Sequence, residues 1–147
     1  MNPSPDSAPS WFGAIHRLLG VLTVAVFGGT GLYMHFRHQH LHGFDDTVRM
    51  LFRSTHIYIL MSGLVNFGLG LNYALAGPRP LRLLQRVGSL LICAAPPLFF
   101  TAFITEPWLT GLQRPFTRPA IYALAAGSLF HFVAWLALVS MARFKRD

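Results

Sequence analysis

Four stretches without Asp, Glu, Lys or Arg divide the chain: Leu18 to Phe36, Ser54 to Pro78, Val87 to Thr105 and Pro119 to Ala142, with lengths of 19, 25, 19 and 24 residues. A helix rises about 1.5 Å per residue and the hydrocarbon core of a bilayer is about 30 Å thick, so each stretch is long enough to cross it. Charged residues gather in short blocks between the stretches. The pattern predicts an all-α integral membrane protein. Its four transmembrane helices form an up-down-up-down bundle, with spans at 14–36, 52–77, 82–105 and 118–143 and the third helix kinked at Pro96-Pro97. Residues 11–147 are expected to form one four-helix transmembrane domain. Segment 1–10, with three prolines and three serines, is expected to be disordered because it cannot bury apolar area.

Composition sharpens this picture. Of 147 residues, 53% are hydrophobic and 12% charged, which excludes a soluble enzyme domain. The net charge of +7 would suggest nucleic acid in a soluble chain. Here the basic residues flank the apolar runs, where they set topology and meet anionic lipid, so no nucleic-acid partner is expected. The first run is read as a retained helix rather than a signal peptide. No Lys or Arg precedes it in residues 1–16, and Tyr33-Met34-His35-Phe36 offers no small-residue cleavage site.

Four antiparallel spans place both termini on one side of the bilayer. That side carries seven basic residues, Arg17, Arg79, Arg82, Arg86, Arg143, Lys145 and Arg146, against five on the other, Arg37, Arg49, Arg53, Arg114 and Arg118. The bias points the termini to the cytoplasm. Eleven Arg against one Lys hints at a GC-rich bacterial genome, and hence at a bacterial inner membrane.

In lipid, helix interfaces are marked by small residues and by polar residues that need partners. Helix 1 carries His16, Gly20, Thr23, Phe27 and Thr30 on one face. Helix 2 carries His56, Gly63 and Gly70 with Asn66 and Tyr73 beside them, and helix 4 carries Ala123, Gly127, His131 and Ala134. The midpoints of the apolar runs bring Asn66, Cys93, Pro96, Pro97 and His131 to one level, predicting a polar cluster at the midplane. Prolines lack the N–H that a helix needs, so carbonyls near Ile92 and Cys93 require other donors, which Asn66 or His131 would supply.

The densest chemistry lies in the loop after helix 1, His35-Phe-Arg-His38-Gln-His40-Leu-His42-Gly-Phe-Asp45-Asp46. If helix 1 continues past the bilayer, His35, His38 and His42 share one face, and His56 enters from the same side on helix 2. With Asp45 or Asp46 these imidazoles suit copper or zinc. The rival cofactor is b-haem, by analogy with small four-helix bundles. His56 and His131 differ too much in depth to share one haem, whereas His35 and His56 match in depth but sit on sequential helices.

Catalysis has little support. The acidic residues, Asp6, Asp45, Asp46, Glu106 and Asp147, all lie outside the spans, and no serine has a nucleophile motif around it. The expected function is therefore a non-catalytic membrane protein, an accessory or assembly subunit of a larger membrane complex or of its own oligomer. A histidine-rich metal site on the non-cytoplasmic side would accompany it. The alternative is a small b-haem or quinone-linked membrane redox protein.

Overall fold

The computed structural model describes residues 11–144. The proline- and serine-rich segment 1–10 and the basic residues Lys145 and Arg146 lie outside the described residues. The chain forms helices α1 (Trp11–Phe36), α2 (Asp46–Leu71), α3 (Arg79–Thr105) and α4 (Thr117–Phe144), with short 3-10 turns at Gln39–Leu41 and Glu106–Trp108. All four helices are long and apolar enough to cross a membrane. Among the described residues there are no strands, and the architecture is the four-helix membrane bundle that the pattern predicts.

The helices pack in chain order. α1 lies along α2 and α4 along α3, giving two tight hairpins, and α2 meets α3 over a smaller area. Glycines let the backbones approach. A Cβ on Gly20 would stand 2.6 Å from the Phe67 backbone, and one on Gly70 would stand 2.6 Å from the Arg17 backbone. Across the second hairpin Gly88 and Gly127 face one another, each Cβ position lying within 2.9 Å of the other's carbonyl oxygen. The glycines at 63 and 70 thus pack within the chain, Gly63 against Thr23. On the helix 1 stripe His16, Gly20, Thr23 and Thr30 are buried and Phe27 is half-buried.

Two boundaries differ from the charge-free runs. Helix α2 starts at Asp46 rather than near 52, because Asp45 caps it, accepting from Val48 N at 2.9 Å. It ends at Leu71 rather than 77, with Asn72 as its C-cap; the chain then runs irregularly to Gly77, whose φ of +89° suits glycine, and Pro78. Charge thus marks the edge of the lipid without marking the end of the helix. Helix α3 continues through Pro96 and Pro97 to Thr105.

Candidate functional site

The principal polar cluster is built around Asn66. Its amide donates to Ser62 O at 2.9 Å within α2 and to Ile92 O at 3.2 Å on α3. Ile92 is the residue whose carbonyl Pro96 leaves without a helical donor, so the expected repair is made by one of the two expected residues. With both amide hydrogens committed, Asn66 Oδ1 can only accept. It therefore fixes the proton of His16 on Nδ1, which donates to it across 2.8 Å. The Cys93 thiol approaches the same oxygen at 3.7 Å and His16 Nδ1 at 3.5 Å. His16 and Asn66 are both fully buried.

His131 does not join this knot directly. Its Nε2 lies 3.1 Å from Ser89 Oγ, which donates to Tyr73 OH at 3.2 Å, and the Tyr73 ring stands 5.6 Å from His16 and 6.0 Å from His131. Tyr73 and His131 open onto a groove of about 320 Å³ that Gln85 and Trp135 also line. Of the expected midplane set, Asn66 and Cys93 meet, His131 is linked through Ser89 and Tyr73, Pro96 is buried and Pro97 faces outward. His16 and Asn66 stand five residues from the ends of α1 and α2, and they meet α3 near its middle, at Ile92 and Cys93.

The histidine loop is arranged differently from the helical extension that the sequence suggests. Helix α1 stops at Phe36, and Gln39, His40 and Leu41 all take positive φ, at 44°, 60° and 65°. Such φ is uncommon for residues other than glycine. The turn folds Leu41 inward, where it is 2% exposed in the core beside Phe52 and Phe103. Burial of a leucine is worth about 1.5–3 kcal/mol, which offsets the local strain. His35, His38 and His42 consequently do not share a face.

His38 is instead surrounded by the rings of Tyr33, Phe44, Phe52 and Trp108 at 4.9 to 6.0 Å, with its Nε2 buried and unbonded. His42 is exposed after the turn. His56 faces α1, stacked on Phe27 at 4.0 Å and bonded to Thr30 Oγ1 at 2.9 Å. Asp45 caps α2, and Asp46 pairs with Arg49. Among the described residues no group of three His, Cys, Asp or Glu is placed to hold a metal ion. The contact that does form is His35 Nδ1 to His40 Nδ1 at 3.4 Å, in the open.

Glu106 is the acidic residue that the loop assignment undervalues. It is completely buried at the start of the 3-10 turn after α3, and its carboxylate accepts from Phe116 N at 2.9 Å, Thr117 N at 2.7 Å and Thr117 Oγ1 at 2.6 Å. A carboxylate there satisfies the orphan donors that open α4. Its only sequence signal is an acid eleven residues before a Thr-Arg-Pro helix start. His16 and Tyr73, absent from the expected polar cluster, are signalled only by their spacing from small residues, and Ser89 is not singled out by the sequence.

One apolar groove of about 400 Å³ lies open between α1 and α3, lined by Val26, Gly29, Thr30, Tyr33, Phe100, Phe103 and Ile104. Compared with known protein families, characterised proteins and solved structures, the chain matches none.

Proposed function

We propose that this chain is a non-catalytic integral membrane protein that acts by helix packing, as an accessory or assembly subunit, in a bacterial inner membrane with both termini cytoplasmic. The observation that carries the reading is the groove between α1 and α3. Its wall includes Gly29, and neither Gly28 nor Gly29 has any atom within 4 Å of the place a Cβ would take. Gly20, Gly63, Gly70, Gly88 and Gly127 are used against neighbouring helices, whereas Gly28 and Gly29 leave α1 smooth where no described helix covers it. In lipid, close backbone approach is a main source of helix association, so such a surface suits a further transmembrane helix. The polar groups inside the bundle, His16, Asn66, Ser89 and His131, are engaged with one another, which supports a structural rather than a reactive role.

Mild detergent extraction followed by size analysis and crosslinking from α1 tests the proposal. Comigration with a larger assembly, crosslinked through α1, is the expected result. A protein that remains a lone monomer at native membrane density overturns it.

A second reading, copper or zinc handling on the side opposite the termini, is favoured by His35 and His40. Two imidazole nitrogens 3.4 Å apart on an exposed turn form a pair that a metal could bridge, with open coordination positions for outside ligands. Metal analysis of the purified protein tests it, and a metal-free preparation from copper- and zinc-replete cells would sink it.

A further inference from the structure

We propose that the outer face of α3, at its arginine-rich start, binds the headgroup of an anionic phospholipid. Arg79, Arg82 and Arg86, spaced three and four residues apart, line one cleft of about 540 Å³ with Pro80 and Leu83. All three arginines are exposed. Among the described residues the one ion pair is Arg49 with Asp46, at the opposite end of the bundle, and every acidic residue described, Asp45, Asp46 and Glu106, lies at that opposite end. Among the described residues no carboxylate stands at this end of the bundle, so these guanidiniums are open to an anion from outside it.

The surface below the arginines identifies the partner. Leu83, Val87 and Leu90 continue the same side of α3 toward the bilayer, at 61%, 39% and 59% exposure. Positive charge above an uncovered aliphatic strip matches an amphiphile with a phosphate head and acyl chains better than it matches a free anion. Arg86 lies about 10 Å deeper along the helix than Arg79, a spread comparable with a headgroup layer, and arginine forms paired hydrogen bonds to phosphate. Basic pockets at the bilayer surface hold anionic headgroups by this combination of charge and burial.

The test uses the full chain, incubated in nanodiscs of phosphatidylglycerol and phosphatidylcholine, released into a neutral detergent and weighed with its bound lipid by native mass spectrometry. Phosphatidylglycerol should be retained over phosphatidylcholine, with a loss of about fivefold for each arginine removed in the R79Q/R82Q/R86Q variant. The control R114Q/R118Q, at the other end of the bundle, should retain it as the native chain does. Excess inorganic phosphate should leave retention unchanged. Equal retention by the triple variant overturns the proposal, as does displacement of the lipid by phosphate, which would mark a free-anion site. Should the triple variant not fold, the single variants R79Q, R82Q and R86Q make the same comparison.

Discussion

The carboxylate of Glu106 and the start of helix α4 at Thr117 are joined by two hydrogen bonds, Thr117 N to Oε1 at 2.7 Å and Thr117 Oγ1 to Oε2 at 2.6 Å. A residue eleven positions away thus does the work usually given to an N-cap beside the helix. The acid fixes the loop between α3 and α4 as firmly as it fixes the helix.

Replacing Glu106 by Ala should destabilise the bundle by about 1–3 kcal/mol, since two buried N–H groups and a hydroxyl lose their acceptor. Glu106→Gln should cost less, because the amide oxygen still accepts. Thermal unfolding in detergent checks the order. Equal stability of Glu106→Ala and the native protein would refute the capping role.

The bond between His16 and Asn66 should appear as coupling in a double-mutant cycle of His16→Phe and Asn66→Leu. Coupling energies between helices in lipid average about 0.6 kcal/mol and reach about 1.7 kcal/mol. Asn66→Leu should be the worse single change, since it also frees the Ile92 carbonyl. A coupling of zero, measured by reversible unfolding, would contradict the bond.

Glycine substitutions should separate folding from association. Gly20→Ala drives a methyl into the Phe67 backbone and should cost about 1–3 kcal/mol in unfolding experiments. Gly28→Leu meets open space and should change stability by less than about 0.5 kcal/mol while disrupting assembly with a partner helix. Size analysis after mild extraction reads the second effect. A Gly28→Leu chain that still assembles normally would remove the packing surface from α1.

If the turn after α1 handles metal, His35→Ala and His40→Ala should each weaken copper or zinc binding about tenfold or more, no less than losing a supporting partner costs. His38→Ala and His42→Ala should leave it nearly unchanged. Isothermal titration with each metal distinguishes the pairs, and weakening by His38→Ala and His42→Ala with none by His40→Ala would favour the helical arrangement of His35, His38 and His42 instead.

The spans are legible in the sequence because lipid allows almost no charge inside and demands helices long enough to cross it. The service of Asn66 to Ile92 is legible for a related reason: proline removes a donor at a known place, and few side chains in an apolar run can replace it. His40 and Glu106 are not legible. The turn that turns His40 toward His35 is shaped by the burial of Leu41 among Phe52 and Phe103, residues distant in the chain. The role of Glu106 depends on a loop path that brings it back to Thr117. Both are tertiary consequences, to which helical periodicity is blind.

The chain-order packing bears on how the protein assembles. His16 and Asn66 find each other inside the first hairpin, and Ser89 and His131 inside the second, so most buried polar groups have partners before the halves meet. Each hairpin can enter the bilayer as a self-sufficient unit, and short sequence separation within it favours rapid closure. Asn66 with Ile92 and Cys93 then acts as the late latch between two preformed halves, the step at which maturation of the whole bundle would stall if that amide were lost.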